Sequence, residues 1–342
     1  MPPGTDLDVA VEAARRRYAD RRPESARLAA AAREFLPGGN TRSVLDFEPF
    51  PFRVVSAEGG LLTDVDGHTY VDLLGNYTAG LLGHRPEAVR RAVITALDAG
   101  LSIGATHPAE LELARLVCER FPSIDQVRFT NSGTEANLYA IATSLHATGR
   151  PGVLVFHGGY HGGVLYFGPT GRPLNVPHKW VFADYNDTES VRRAFAAHPD
   201  DIGCALVEPM IGASGCIPGE PDFLAELSAQ CDAYGAQLIF DEVMTSRLSP
   251  GGAQEVLGIT PDMTTLGKYI AGGLTIGAFG GRRELMAAFD PAAGGGLTQG
   301  GTFNNNNTVS MAAGVAALTE VLTPELMARR LGAFVAEQSR SV

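Results

Sequence analysis

Lys268 is the residue of this sequence best suited to covalent chemistry, because it is one of only two lysines. The 27 basic residues are Lys179, Lys268 and 25 arginines. Unlike arginine, lysine can lose its proton and then act as a nucleophile. Lys268 follows an apolar, strand-like run and precedes glycines, in TTLGKYIAGG, a setting expected to lower its pKa from the unperturbed value of about 10.4. Lys179, in the polar segment HKW, is predicted to be a surface charge.

A glycine-bearing turn at Asn131–Asn137 is a candidate phosphate-binding site. The segment NSGTEAN follows a strand-like run and leads into a helical pattern. Free backbone N–H groups and hydroxyls at a helix N-terminus suit a phosphate. Ser132 and Glu135 also have the spacing of a capping box, which would make the segment purely structural. Taken alone, the motif favours the cap.

The segment His157–Gly163 combines two histidines, a tyrosine and four glycines. Histidines four apart could bind a metal if they lay on a helix, but the glycines disfavour a helix and no carboxylate completes a ligand set. Glycines instead let the backbone approach a ligand closely. We therefore expect Tyr160 or His161 to contact a flat ligand.

Asp241 ends the apolar run QLIFD, where an isolated carboxylate would be costly. It either caps the start of a helix or pairs with a cation such as a protonated ring nitrogen. Gly300–Asn304 is a second candidate phosphate-binding turn, for which an ordinary polar loop is the alternative. A phosphate cradle, a ring stacker, a partner for a pyridinium and a reactive lysine are together the parts of a pyridoxal 5′-phosphate (PLP) site.

The elements that must position these residues alternate between strand-like and helix-like runs. Alternation of this kind predicts an α/β fold with a mainly parallel sheet flanked by helices, whose ligands bind beyond the carboxyl ends of the strands. One long helix is predicted from Asp6 to about Phe35. The predicted strands of the sheet are Val127–Thr130, Val153–Phe156, Ala205–Val207, Gln237–Phe240 and Thr275–Phe279.

Composition excludes several classes of protein. The formal net charge of −11 argues against a nucleic-acid partner, which would require a basic face. No apolar run approaches the roughly 20 residues of a membrane span, and the first residues lack the apolar region of a secretory signal. Four scattered cysteines without CxxC spacing are typical of reduced thiols. We therefore expect a cytoplasmic enzyme with no membrane partner and no metal.

The motifs above resemble those of the fold-type-I, class III PLP-dependent aminotransferases. Within that family the sequence is most similar to the β-amino-acid (β-phenylalanine type) aminotransferases and to glutamate-1-semialdehyde aminomutase. The resemblance extends from about Phe35 to about Leu322 and also includes the segments PGGNTRS, Glu208-Pro209 and TFNNN. Four asparagines follow Phe303, where the family leads us to expect three.

The resemblance implies a role for each matching residue. Lys268 would carry the cofactor and move the proton between substrate and cofactor carbons, and Asp241 would keep the pyridine nitrogen protonated. Tyr160 would stack on one ring face and Val243 would pack on the other. Arg42 would bind the substrate carboxylate. The remaining cofactor-binding residues would be Ser132, Gly133, Thr134 and Glu208, with Thr302 donated by the neighbouring subunit of a homodimer with shared active sites.

The resemblance also predicts domains and activity. Residues 1–75 would form the N-terminal helix and strands of a small domain, 76–322 the PLP-binding large domain, and 323–342 the start of a C-terminal domain whose remainder is missing. The expected activity is transfer of an amino group from an amino acid, plausibly a β-amino acid, to a 2-oxo acid. The alternatives are glutamate-1-semialdehyde 2,1-aminomutase and a truncated PLP-binding chain with little or no turnover.

Overall fold

The computed structural model describes residues 6–101, 103–169, 174–300 and 305–329. The chain divides into one unit of Met1–Tyr77 with Gly83–Arg85 and a second of Thr78–Leu82 with Pro86–Val342. Its α-helices are α1 (Asp6–Asp20), α2 (Pro23–Ala32), α3 (Glu87–Ala99), α4 (Pro108–Arg120), α5 (Gly133–Thr148), α6 (Thr188–Ala197), α7 (Pro221–Tyr234), α8 (Gly252–Leu257), α9 (Arg283–Met286) and α10 (Thr308–Ala316). Its strands are β1 (Val54–Glu58), β2 (Leu61–Asp64), β3 (Thr69–Val71), β4 (Gln126–Thr130), β5 (Gly152–Phe156), β6 (Lys179–Ala183), β7 (Ile202–Val207), β8 (Met210–Ile211), β9 (Ile217–Pro218), β10 (Gln237–Asp241), β11 (Met263–Gly267) and β12 (Gly277–Gly281).

The first unit contains α1, α2 and an antiparallel sheet in the order β1-β2-β3. Two carboxylates at its β2–β3 turn organise it. Asp66 accepts hydrogen bonds from the backbone N–H groups of Glu24 and Ser25 at the start of α2, which caps that helix. Asp64 is buried and accepts a 2.5 Å hydrogen bond from the hydroxyl of Tyr70.

The prediction of one helix from Asp6 to about Phe35 is wrong, because the segment forms two helices, α1 and α2. Pro23 occupies the first position of α2. A proline there has no N–H to donate to a preceding turn and disfavours the helical conformation of the residue before it, so α1 cannot continue into α2.

A seven-stranded sheet in the order β4-β12-β11-β10-β7-β5-β6 forms the centre of the second unit. The strands are parallel to one another except β12, which is antiparallel to both of its neighbours. Side chains of one strand alternate between the two faces of a sheet. In β5, Leu154 and Phe156 pack with residues of α6 and α7, whereas Val153 and Val155 pack with residues of α5. A mainly parallel sheet flanked by helices is thereby confirmed.

Other details of the predicted elements differ. The edge strand β6, which begins at Lys179, has no counterpart among the predicted strands, and Lys179 forms a 2.7 Å salt bridge with Asp201 at the surface. Residues 324–329 are helical, and the rest of the predicted C-terminal segment, residues 330–342, lies outside the described residues. In the part of the chain that the structure describes, no helix has the length and apolar character that crossing a membrane requires.

Candidate active site

One edge of the second unit's sheet collects the chemistry-bearing residues. Strands β4, β5, β7, β10 and β11 run in the same direction, so the segments that follow them meet at one edge, where ligands of open α/β sheets bind. Those segments carry Ser132, Tyr160, Glu208, Asp241 and Lys268, in the order of the strands along the chain.

Asp241 lies at the end of β10 and is 4 % exposed. Its Oδ2 accepts a 2.8 Å hydrogen bond from the side-chain amide of Asn137 and lies 2.8 Å from Nδ1 of His161. Its Oδ1 accepts from the backbone N–H of Val243 at 3.0 Å. These partners satisfy the carboxylate oxygens by hydrogen bonding without an arginine or a lysine.

The first turn of α5 is both a capping box and an open helix N-terminus. Ser132 Oγ accepts from the backbone N–H of Glu135, and the Glu135 carboxylate accepts from the backbone N–H of Asn131 at 2.7 Å. The N–H groups of Gly133 and Thr134 precede the first intrahelical bond of α5. The structural and the phosphate-binding interpretations of the motif are therefore compatible, because the cap uses Glu135 while the earlier N–H groups stay at the helix end.

Close backbone approaches bring the neighbouring segments together. A Cβ atom added to Gly133 would lie 2.8 Å from Cγ2 of Val243, and one added to Gly162 would lie 2.1 Å from Oγ1 of Thr134. Gly162 also has a φ of +128°, a conformation that favours glycine. The Val243 side chain is therefore fixed against the start of α5, and the His157–Gly163 segment is fixed beside it.

Glu208 holds the Tyr160 segment in place. Its Oε2 accepts from the backbone N–H of Tyr160 at 2.9 Å, and its Oε1 accepts from the N–H of Gly212 at 3.2 Å. Burial raises the pKa of Glu208, and the charge of Asp241 acts in the same direction. Tyr160 is 46 % exposed, so it is accessible to a ligand.

Lys268 directly follows β11 and has a left-handed backbone with φ of 56°. Its Nζ donates a 2.9 Å hydrogen bond to the hydroxyl of Thr78. Burial lowers the pKa of the Lys268 amine; the nearby Arg247 also lowers it, whereas Asp241 and Glu208 oppose the shift. A shift in this direction favours the neutral amine that nucleophilic chemistry requires.

Two predicted site residues are not part of the cluster that the structure describes in the second unit. Arg42 belongs to the first unit, where it is exposed, stacks over the Tyr77 ring at 4.5 Å and donates to the Asn76 side chain at 3.2 Å. Thr302 and the rest of the second candidate phosphate turn, from Gly301 to Asn304, lie outside the described residues.

Sequence reasoning did not assign roles to Asn137, Thr265 and Thr78. Asn137 bridges Asp241, the backbone oxygen of His161 and the Thr265 hydroxyl, through contacts of 2.7–2.9 Å. One signal for Asn137 existed in the sequence, since it is a polar residue at the buried positions that α5 shares with Ala140 and Ile141. Thr78 follows no strand and belongs to no motif, so nothing in the local pattern indicated it.

The chain matches the model of the aminotransferase class-III family over residues 45–338. It is 52 % identical to the beta-phenylalanine transaminase of Variovorax paradoxus over 319 residues, which are 93 % of this chain and 73 % of that protein. The crystal structure of a beta-phenylalanine aminotransferase from Variovorax paradoxus superimposes with a TM-score of 0.91 at 51 % identity, over 94 % of this chain and 74 % of that one.

Two further solved structures are similar. A transaminase with PLP bound has a TM-score of 0.83 at 37 % identity, over 89 % of this chain and 74 % of its own. A glutamate-1-semialdehyde aminomutase from Pseudomonas aeruginosa PAO1 has a TM-score of 0.83 at 26 % identity, over 94 % and 76 % of the two chains. This chain belongs to the class-III aminotransferases, and it is a PLP-dependent aminotransferase.

The geometry described above fits PLP. A helix N-terminus with free N–H groups suits a phosphate, the buried carboxylate of Asp241 suits a protonated pyridine nitrogen, and the Lys268 amine is held at the same sheet edge. Val243 packs closely on Gly133 at the start of α5, which places an apolar side chain beside the candidate phosphate site. Within the described residues, no group of three or more metal-ligating side chains occurs.

Proposed function

We propose that this enzyme transfers the amino group of a β-amino acid to a 2-oxo acid. The observation that carries the proposal is the 52 % identity to a beta-phenylalanine transaminase over 93 % of the chain. The PGGNTRS segment that contains Arg42 supports it further, because it resembles the substrate-binding segment of the β-amino-acid enzymes. Glutamate-1-semialdehyde aminomutase is the second candidate, supported by a similar fold at 26 % identity.

Each site residue receives a specific task in this proposal. The bound PLP supplies an electron sink that stabilises negative charge at the reacting carbon. Asp241 keeps the ring nitrogen protonated, and Tyr160 and Val243 contact opposite faces of the ring. Ser132, Gly133, Thr134 and a partner subunit's Thr302 hold the phosphate, and Glu208 fixes the Tyr160 segment. The Lys268 amine carries the cofactor and moves a proton at Nζ.

A donor panel tests the reaction class. Purified enzyme is given β-amino acids, α-amino acids, simple amines and glutamate 1-semialdehyde, with 2-oxoglutarate or pyruvate as acceptor. We expect turnover with a β-amino acid that exceeds turnover with simple amines by at least about tenfold, since a carboxylate-binding arginine contributes to binding. Conversion of glutamate 1-semialdehyde without an acceptor, and no reaction of β-amino acids, would favour the aminomutase instead.

The two lysines provide a matched test of the covalent residue. We expect Lys268→Ala to abolish both transamination and the cofactor linkage that borohydride traps, because no other nucleophile occupies that position. Lys179→Ala should change neither, since Lys179 lies at the surface in a salt bridge with Asp201. Recovery of reduced cofactor on a peptide that contains Lys179 would refute the assignment.

Arg42 is proposed to bind the substrate carboxylate through its guanidinium. We expect Arg42→Ala to lower kcat/KM for β-amino acids by about 100-fold, the scale of a lost charge-assisted pair, and to change kcat/KM for simple amines by less than about threefold. Arg17→Ala, at an exposed position of α1, serves as the control. An equal loss for both substrate classes would mean that Arg42 only orders its own loop.

A further inference from the structure

Thr78 and Lys268 form a contact between two residues in an unusual backbone conformation. The Nζ of Lys268 lies 2.9 Å from Oγ1 of Thr78, although 190 residues separate them in sequence. Thr78 has a φ of 69° and Lys268 a φ of 56°. Left-handed backbone is uncommon for residues other than glycine, and for a β-branched residue such as threonine it is a genuine outlier.

The segment before Thr78 shares this conformation. Asn76 and Tyr77 have φ values of 48° and 52°, so three consecutive residues without a glycine are left-handed. Backbone outliers of this kind cluster at functional sites, where the surrounding structure holds them. A glycine at position 78 would adopt the same φ without strain. We therefore look to the side chain of Thr78 for the reason that a threonine is present. That side chain makes the hydrogen bond with Lys268.

The groups around Lys268 show what the hydroxyl contributes. Burial and Arg247 favour the neutral amine, whereas the carboxylates of Asp241 and Glu208 favour the ammonium. A hydroxyl differs from all of these groups, because it accepts a hydrogen bond from an ammonium and donates one to a neutral amine. Thr78 can therefore hold Nζ in the same place whichever protonation state the amine adopts.

We propose that Thr78 is a positioning residue for Lys268, whose hydroxyl fixes Nζ whenever the amine is not linked to the cofactor. The inference rests on the role proposed above for Lys268 in proton transfer. In that role Nζ would accept a proton from the substrate carbon, become an ammonium and then donate that proton to the cofactor carbon, which leaves the amine neutral again. A fixed Nζ makes both proton transfers faster, because proton transfer requires alignment of donor and acceptor.

The first test measures the amine itself. In enzyme loaded with pyridoxamine 5′-phosphate the Lys268 amine is free, and labelling with lysine carrying ¹³C at Cε gives two signals, since the chain has two lysines. Lys179→Arg assigns them. We expect Thr78→Val to make the two Hε protons of Lys268 equivalent and to move its titration to lower pH, because the ammonium loses its acceptor. Thr78→Ser should resemble the unaltered protein.

The second test measures the proton-transfer step. With a donor deuterated at the reacting carbon, we expect Thr78→Val to lower kcat by about tenfold to a hundredfold, the scale of a misplaced catalytic group. KM should change little, and the deuterium isotope effect on kcat should rise because proton transfer becomes rate-limiting. Thr78→Ser should stay within about threefold of the unaltered enzyme, and Thr69→Val, at an exposed position of β3, should have no effect.

Two further measurements distinguish failure of the positioning role of Thr78 from failure of the role proposed for Lys268. Thr78→Gly removes the hydroxyl without backbone strain, so it decides the question if Thr78→Val proves unstable in a thermal melt. Borohydride trapping of PLP on Lys268 in every variant shows that Lys268 still carries the cofactor, and trapping elsewhere overturns the role proposed above for Lys268 instead. With that linkage intact, Lys268 signals and isotope effects that are unchanged in Thr78→Val or Thr78→Gly would overturn the positioning role of Thr78.

Discussion

Asp241 illustrates how a single side chain becomes suited to one ligand. Its carboxylate is almost fully buried, yet it takes hydrogen bonds from Asn137 and Val243 and a contact from His161 rather than a salt bridge to lysine or arginine. Hydrogen bonds of this kind hold the two carboxylate oxygens in place. A carboxylate held in this way suits a protonated ring nitrogen, and keeping that nitrogen protonated is the task proposed for this residue.

The substitution Asp241→Asn removes the charge of the side chain and keeps its shape. We expect PLP still to bind through its phosphate and through Lys268, because neither contact involves the carboxylate. Turnover should fall by about 100-fold or more, the usual effect of removing a preorganised electrostatic partner. The measurement is kcat at saturating PLP, together with the absorbance of the bound cofactor.

Asp222→Asn, at an exposed position of α7, is the control for this comparison and should retain full activity. An Asp241→Asn enzyme that turns over within about threefold of the unaltered rate would exclude the proposed role, since such a result would show that the ring nitrogen does not need an anion.

Single residues were predictable where their place along the chain already restricts their chemistry. Lys268 and Asp241 each follow an apolar strand, so their position at the sheet edge could be predicted before the structure. Thr78 could not, because its hydroxyl reaches Lys268 only through a left-handed segment and a sequence separation of 190 residues. Contacts of that kind depend on tertiary packing, which a local pattern does not record.

The packing of the His157–Gly163 segment on the start of α5 is a contact between two elements. The backbone of Gly162 lies so close to Thr134 that an added Cβ atom would be 2.1 Å from its hydroxyl oxygen, whereas a Cβ on the adjacent Gly163 would meet nothing within 4 Å. The two glycines are neighbours in sequence, but only Gly162 is needed for this approach.

We therefore expect Gly162→Ala to weaken PLP binding by about tenfold or more, because overpacking typically costs 1–3 kcal/mol and the residue also has a φ of +128°. The Kd of PLP, measured by titration of the apoenzyme, checks the expectation. Gly163→Ala should leave the Kd within about twofold. Equal effects of the two substitutions would mean that glycine serves only loop flexibility here.

Helices and strands could be predicted where their own residues carry a clear hydrophobic pattern. The alternation of strands and helices predicted the mainly parallel sheet, and the apolar run of β5 was identified within one residue of its start. The antiparallel direction of β12 could not be predicted, because strand direction depends on which neighbours pair with it. The edge strand β6, whose residues are partly exposed, was also missed.

At the scale of the whole molecule, the proposal requires two chains. Thr302 resembles a phosphate contact that class III enzymes donate from a neighbouring subunit, so each proposed site combines Lys268 of one chain with a residue of its partner. No pattern within one sequence distinguishes a residue that serves its own site from one that serves the site of another chain. An experiment that mixes chains can make this distinction.

Mixing Lys268→Ala with Thr302→Ala chains tests the shared site. In a mixed dimer one site would contain both substitutions and the other would be unaltered. At limiting PLP, each pure variant should have little activity, whereas an equimolar mixture, refolded together, should recover about one quarter of the unaltered activity, since about half of the dimers are mixed and each has one intact site. A mixture of Lys268→Ala and Asp241→Asn chains should have higher activity than Asp241→Asn alone only if Asp241 also comes from the partner. We expect no recovery of activity in this mixture. Activity of the first mixture that equals the average of its two components would show that Thr302 does not complete the neighbouring site.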